Sequence, residues 1–334
     1  MTKTTSDAPA GNLRKIAVPA PPQAVSGATQ IAPAQTASLP HTRRESLRGH
    51  AAMLAFSILI AGSFSLGARV ANLIDPVAIT AIRFVLASAV VGAYAILAGP
   101  GLPGRAFAAP WRYLVLGGLY AAYFVLMFEG LKTALPVSAA AVFALTPLMA
   151  AGFGWMLLRQ ITSPRMALAL GMGAFGCLWV IFRGDMAALS RLEFGRGEAI
   201  YLLGCAAHAL YTPMVRRLNR GERPVVFTFG TLVAGALILL IWGWGAIGAT
   251  DWANLPAIVW ITLVYVAVFA TAATVVLVQF ASLRLPAAKV MAYTYLTPVW
   301  VIALEGVLTG ALPGMLVLPG IAAITLALIL LLKD

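Results

Sequence analysis

The sequence predicts an all-α integral membrane fold of ten transmembrane helices, arranged as two inverted five-helix repeats. Three observations lead there. Of 334 residues, 61% are hydrophobic and only 10% charged, with a mean hydropathy of +0.91. A water-facing globule carries roughly 25% charged residues, so this chain has too little polar surface to cover itself. Apolar stretches long enough to cross a bilayer alternate with short polar breaks, and the second half of the chain echoes the first.

Taken in order, residues 1–48 are rich in Ala, Pro, Thr, Ser and Gln and hold no apolar run. Such a segment cannot bury enough surface to offset its ordering entropy, which predicts a disordered cytoplasmic tail. A span needs about 20 residues at 1.5 Å rise each. The first five spans fall at 51–71, 77–98, 112–131, 136–157 and 165–182. The second five fall at 198–216, 225–246, 257–280, 287–308 and 313–332. Between them, Asp75-Pro76, Gly99-Pro100-Gly101 and Ser163-Pro164 are turn chemistry.

Arg48-Gly49-His50-Ala51 recurs 148 residues later as Arg196-Gly197-Glu198-Ala199, and Arg69 falls opposite Arg217 at the same offset. Leu145-Thr146-Pro147 is echoed 151 residues later by Leu296-Thr297-Pro298. The repeats therefore run over 49–183 and 197–332. With five spans in each, the second copy enters the membrane from the opposite side. Inverted repeats put a binding site at the interface between the halves and supply two related conformations.

Basic residues set the orientation. With the N-terminus inside, thirteen Lys and Arg fall on the inner side and five on the outer, among the latter Arg69, Lys132 and Arg183. That bias predicts a plasma (inner) membrane protein with both termini cytoplasmic. The same dispersal argues against nucleic acid as the partner of a chain with net charge +12, because no basic cluster is interleaved with exposed aromatics on a soluble domain. The expected partners are the lipid bilayer and a small-molecule substrate.

Chemistry other than transport finds little support. Cys177 and Cys205 sit inside apolar runs and read as packing residues. His41, His50 and His208 belong to no HExxH and have no carboxylate nearby, so neither a metal nor another cofactor is expected. An intramembrane enzyme would call for clustered Asp or a Ser/His pair, and no Asp lies in any span. A receptor or scaffold would call for a soluble domain or long ordered loops, and an ion channel for rings of like charge. Gly171-Met172-Gly173-Ala174-Phe175-Gly176 has the form GxGxxG, but it lies in an apolar span with no strand before it, where small residues serve helix packing.

At the level of motifs, the chain resembles the drug/metabolite transporter superfamily, EamA type. The likeness rests on Gly62-Ser63-Phe64, on 81–87 (AIRFVLA) and on Phe128-Glu129-Gly130-Leu131-Lys132. In the second half it rests on Gly197-Glu198-Ala199, Ala209-Leu210-Tyr211, Arg216-Arg217 and Leu296-Thr297-Pro298. It implies spans 1–4 and 6–9 around a central cavity, spans 5 and 10 outside them, and export of a small metabolite by alternating access. The chain departs from the family's pattern in three places. Arg159-Gln160 and Gly310-Ala311 stand where a Gly-Glu pair is common, and His208 stands where span 6 commonly has an aromatic.

Ionisable groups inside a membrane are costly and are functional candidates by default. Lys289 is followed at +4 and +11 by Tyr293 and Trp300 on one helical face, a cation beside rings that suits an anionic organic body. The alternative is that Lys289 snorkels to the inner interface. His208 shares a face with Tyr201, Tyr211 and Thr212, and either lines the cavity or bonds a neighbouring helix. Tyr120 and Phe124, one turn apart, make an aromatic wall or simple packing. Ser63 enters as a cavity residue on the family likeness. Arg83 reads as a structural charge pairing with Glu129, while Glu129 and Glu305 near outer helix ends are also the candidates for proton coupling. Lys289 and His208 favour an amino acid or organic acid as substrate; an apolar or cationic drug held by the aromatic faces is the alternative. Monomer and homodimer both stay open.

Overall fold

The computed structural model describes residues 43–159, 161, 163–185, 187, 195–282, 284–285, 290, 292–310 and 314–332. Lys289 and residues 1–42 of the expected tail lie outside the described residues. Everything described is helix, turn or connecting chain.

The first helix, α1, runs Arg43–Val70 and takes in the last residues of the expected tail. Its early start has a local cause: Glu45 accepts from Arg48 one turn on, at 2.5 Å, and from Arg284 of the second half, at 2.9 Å. Helix α2 spans Pro76–Leu97, and the Asp75 side chain caps it by accepting from the N–H groups of Val77 (2.8 Å) and Ala78 (3.3 Å). Proline at the first helical position has no N–H to leave unsatisfied, which suits it to this start. Helix α3 is Trp111–Leu131.

The expected fourth span is broken in two: α4 is Pro136–Phe143 and α5 is Thr146–Leu158. Pro147 cannot donate to the carbonyl one turn back, so the helix is interrupted there. Helix α6, Pro164–Ile181, starts under a Ser163 cap that accepts from the Met166 N–H. The second half follows with α7 (Arg196–Leu218), α8 (Pro224–Trp242) and the short α9 (Trp244–Ala249). Next, α10 (Ala257–Val264) runs through a π-helical segment, Tyr265–Ala273, into α11 (Thr274–Ser282). A 3₁₀ turn at Tyr293–Leu296 then leads into α12 (Thr297–Thr309), and α13 (Leu318–Leu332) closes the chain.

The repeat is visible in backbone detail. Leu145 enters α5 at φ −77°, ψ −14° and Leu296 enters α12 at φ −78°, ψ −14°. Both helices are 13 residues long, and both end on a left-handed residue, Arg159 at φ 54° and Gly310 at φ 70°. Packing exchanges partners in the same way. Helix α3 packs on α7 while its counterpart, from α10 to α11, packs on α1; α2 meets its counterpart α8, and α6 meets α13.

The outside of the bundle is apolar: Val90, Ile96, Leu97, Leu168, Ile241 and Val307 are all exposed, a surface that suits hydrocarbon and not water. Exposed Trp242 and Trp244 sit at a helix end, as interfacial anchors do. Among the described residues, eight helical spans are long and apolar enough to cross a membrane, with α4 and α5 counting as one and α10 with its π-helical continuation as another. Helix α7 is outside that set, its apolar run diluted by His208, two tyrosines, Pro213 and terminal arginines, and the expected ninth span lies partly outside the described residues.

Backbones meet where glycine allows. A Cβ on Gly130 would meet the Gly197 carbonyl oxygen at 2.7 Å, and one on Gly197 would strike Gly130 in return. Of the GxGxxG glycines, Gly173 faces Tyr295 and Gly176 faces the Gly320 backbone, while Gly171 opens on empty space. Two of the three thus serve helix packing.

Candidate functional site: a buried arginine in an aromatic box

Arg83 projects from the middle of α2 and is 1% exposed. Its Nε and Nη2 both donate to the Thr271 hydroxyl, at 3.0 and 2.9 Å. Thr271 lies in the π-helical segment, and its own hydroxyl proton goes to the Val266 carbonyl at 2.8 Å, five residues back. The hydroxyl's one donor and two acceptor positions are then filled. A guanidinium carries five N–H donors, so most of Arg83's capacity is left over. Its Nη1 has no hydrogen-bond partner among the described residues, and no carboxylate there pairs with it. Its face is covered by Phe124, whose ring centroid is 3.6 Å from the guanidinium carbon.

The expected pair between Arg83 and Glu129 is not formed. Glu129 lies near the end of α3, where Lys132 reaches it at 2.6 Å one turn on. Glu305 is likewise engaged, by Arg69 at 3.0 Å, which ties α12 to α1.

Around Arg83 the aromatic side chains of five helices converge. Phe124 stands edge-on to Phe84 (5.8 Å between centroids) and to Tyr120 (4.8 Å). Tyr120 stacks on Tyr211 of α7 at 5.1 Å, and His208 packs 4.6 Å from Tyr123. Tyr201 donates to the Tyr123 hydroxyl at 3.1 Å and stands edge-on to Phe64. Phe84, Tyr123, Phe124, Phe143 and Tyr201 are buried, whereas Tyr120, His208 and Tyr211 keep part of their surface accessible. The box thus has a closed floor holding the cation and a more open rim. His208 Nδ1 finds no partner among the described residues. One turn after it comes Pro213, which has no N–H to give the Ala209 carbonyl.

Four sequence candidates, Tyr120, Phe124, His208 and Tyr211, come together here with Arg83. Others do not join them. Tyr293 shares a 2.9 Å hydrogen bond between its hydroxyl and His50 Nδ1, and Trp300 Nε1 donates to Ser57 Oγ at 2.9 Å. Both tie the 3₁₀–α12 unit to α1, one heptad apart on each side. Ser63 is buried and turns back on its own helix, donating to the Ile60 carbonyl at 2.5 Å. Its neighbour Gly62 has the clearer role: a Cβ there would collide with Tyr265, whose hydroxyl donates to the Leu59 carbonyl. Sequence reasoning passed over Tyr123 and Thr271. Tyr123 was signalled by standing one turn from Tyr120; Thr271 had no signal, because its partner is 188 residues away.

Comparison with known proteins follows the same division into halves. The EamA-like transporter family matches the chain twice, over residues 47–182 and 195–333. Uncharacterized transporter YyaM of Bacillus subtilis (strain 168) is 28% identical over 219 residues, 65% of this chain and 72% of that protein. A crystal structure superposes with a TM-score of 0.62 at 22% identity, covering 86% of this chain and 96% of its own, a likeness of fold alone. With both halves matched and apolar helices long enough to cross a bilayer, the chain belongs to the EamA-like transporter family and is an integral multi-pass membrane transporter.

Proposed function

We propose that the protein moves a small organic metabolite with an anionic group, an amino acid or organic acid, across the inner membrane by alternating access. The observation that carries this reading is the solitary charge of Arg83. A buried ion without its counter-ion is costly by several kcal/mol, and here two bonds to one hydroxyl are its only described hydrogen bonds. A substrate carboxylate would supply the missing charge, bound through the free Nη1 edge in the planar geometry guanidinium favours. The rings of Tyr120, Phe124, His208 and Tyr211 would hold the organic body. In this reading Arg83, and not Lys289, is the anchor.

The halves, taken as 49–183 and 197–332, rock about the box. The tightened turn between α4 and α5, echoed by the 3₁₀ turn before α12, interrupts a regular helix at the equivalent place in each half, as broken helices do at such sites. Both termini face the cytoplasm by the distribution of basic residues, and export is the direction the family likeness favours. The substrate gradient or proton exchange drives the cycle, and the protein is not an enzyme. A second reading, export of an apolar or cationic drug, is favoured by the aromatic lining alone.

The test is uptake into liposomes of radiolabelled amino acids and organic acids, with Arg83→Gln and Lys289→Ala in parallel. Saturable uptake of an anionic or zwitterionic solute, lost in Arg83→Gln and kept in Lys289→Ala, is expected. Uptake indifferent to Arg83 overturns the anchor. Uptake confined to cationic compounds replaces this reading with the second.

A further inference from the structure

A cavity of about 640 Å³ opens at one end of the bundle, lined by no residue of the aromatic box, between the α2–α3 connection and the α7–α8 connection. It is lined by Arg105, Arg112, Arg220, Arg223 and a single carboxylate, Glu222. That carboxylate is already committed. Arg112 Nη2 donates to it at 2.7 Å, with side-chain exposures of 2% and 8%, and the Arg220 N–H donates to its other oxygen at 2.6 Å. Arg112 is spent as well, donating to the carbonyls of Leu218 (2.7 Å) and Ala106 (3.2 Å). The ion pair is therefore the floor of the cavity and not its ligand-binding group.

Arg105, Arg220 and Arg223 are different. All three are exposed, all three line the same cavity, and none pairs with a carboxylate among the described residues. The loops that carry them are held in shape. Gly101 (φ 72°) donates to the Ala95 carbonyl at 2.7 Å, and Gly221 (φ 95°) donates to Asn219 Oδ1 at 2.7 Å. Pro100 and Pro103 stiffen the first loop further. Arginines that served only to orient the chain in the membrane would be spread along its loops. Here three converge from two separate loops on one open cleft of ligand size.

We propose that this cavity is a second binding site, distinct from the transport site, and that it takes a phosphate group. Guanidinium forks match phosphate oxygens bidentately, and basic pockets between transmembrane helices suit anionic lipid headgroups. A phospholipid headgroup and a soluble phosphate ester share that chemistry, and two probes separate them.

The full-length protein, in zwitterionic detergent, is titrated with phosphatidylglycerol and occupancy is read by native mass spectrometry. Glycerol 3-phosphate is then added as a competitor. Wild type is compared with Arg105→Gln/Arg220→Gln/Arg223→Gln and with Arg217→Gln, an exposed arginine outside the cavity. Phosphatidylglycerol affinity is expected to fall roughly ten-fold or more in the triple variant and less than about two-fold in Arg217→Gln. Displacement by glycerol 3-phosphate makes the phosphate itself the recognised group, and lipid binding without displacement makes the headgroup in its bilayer setting the ligand; both support the site. If phosphatidylglycerol does not bind, direct binding of glycerol 3-phosphate that is lost in the triple variant supports it too. Equal binding of both probes by wild type and triple variant, or equal loss in Arg217→Gln, overturns it. Should the triple variant not purify, Arg105→Gln and Arg220→Gln are measured singly, and unchanged affinity in both overturns the proposal.

Discussion

Arg83 and Thr271 join the two halves of the protein through one hydroxyl, which receives the Nε and Nη2 donors at 3.0 and 2.9 Å. The contact exists because a π-helical turn brings Thr271 round to face α2, and because the threonine proton is diverted to the Val266 carbonyl. π-Turns inside α-helices are often found at functional sites. Removing the hydroxyl separates its two roles. Thr271→Val leaves the guanidinium without its described acceptor and should cost roughly 1.5–3 kcal/mol in unfolding free energy, whereas Thr271→Ser restores most of it.

Stability and transport should part company at Arg83 itself. A buried charge with no counter-ion carries its desolvation cost unrepaid, and an apolar side chain of similar length removes that cost. Arg83→Met is therefore expected to melt no lower than wild type while uptake of the anionic substrate drops to background. A variant that loses stability and keeps residual uptake in proportion would make Arg83 a purely structural residue.

Much of this was legible from the chain. The spans could be placed because apolar runs of bilayer length admit few alternatives, and because the turn chemistry of Asp75-Pro76 and Ser163-Pro164 bounds them; the structure shows both as helix caps. The Thr-Pro echo marked the repeat and 136–157 is one span, although the break within it at residues 144–145 was not read. Side-chain stripes on a single helix were readable, so the face shared by Tyr201, His208 and Tyr211 reappears in the box. What could not be read was which stripe faces which. The Lys289 stripe was as good by spacing, yet its members Tyr293 and Trp300 bond to His50 and Ser57 of α1. Nor does composition announce a π-turn.

One close backbone approach between the halves gives a contrast that can be measured. Gly130 and Gly197 leave no room for a methyl group because the obstacle on each side is main chain. Gly130→Ala or Gly197→Ala forces α3 and α7 apart and should cost about 1–3 kcal/mol or more as overpacking. Gly171→Ala, with nothing within 4 Å of the added carbon, should instead gain up to about 1 kcal/mol from helix propensity. Melting temperatures of the three variants in one detergent decide it. Similar losses at Gly130 and Gly171 would show that the α3–α7 contact is looser than described.

Arg159 occupies the left-handed position that its counterpart Gly310 fills with glycine. A side chain there costs roughly 1–2 kcal/mol, partly offset by the extra freedom glycine has when unfolded. Arg159→Gly is expected to raise stability by up to about 1 kcal/mol and to leave uptake unchanged, since Arg159 lies at the end of α5 and touches no residue of the box. The reverse change in the second half, Gly310→Arg, should lower stability by a similar amount. Changes of the same sign in the two variants would break the equivalence of the two helix ends.

Glu222 provides the pH dependence. Burial raises the pKa of its carboxyl, but the hydrogen bonds from Arg112 and from the Arg220 N–H outweigh burial and hold it below the ordinary carboxylate range. A carboxyl lowered on folding stabilises the native state fully above its unfolded pKa of about 4.3, and that contribution is lost as pH falls through the folded value. The melting temperature contributed by this pair should therefore be flat from neutral pH down to about 5 and decline below it. Glu222→Gln leaves Arg112 buried without its counter-ion and should cost about 3–5 kcal/mol at neutral pH, with a shallower decline in acid. In Arg112→Gln/Glu222→Gln the two losses should sum to less than their separate values, because each single change strands the other partner. A wild-type protein that grows more stable as pH drops from 5 to 3 would show that the pair contributes nothing, whatever its geometry.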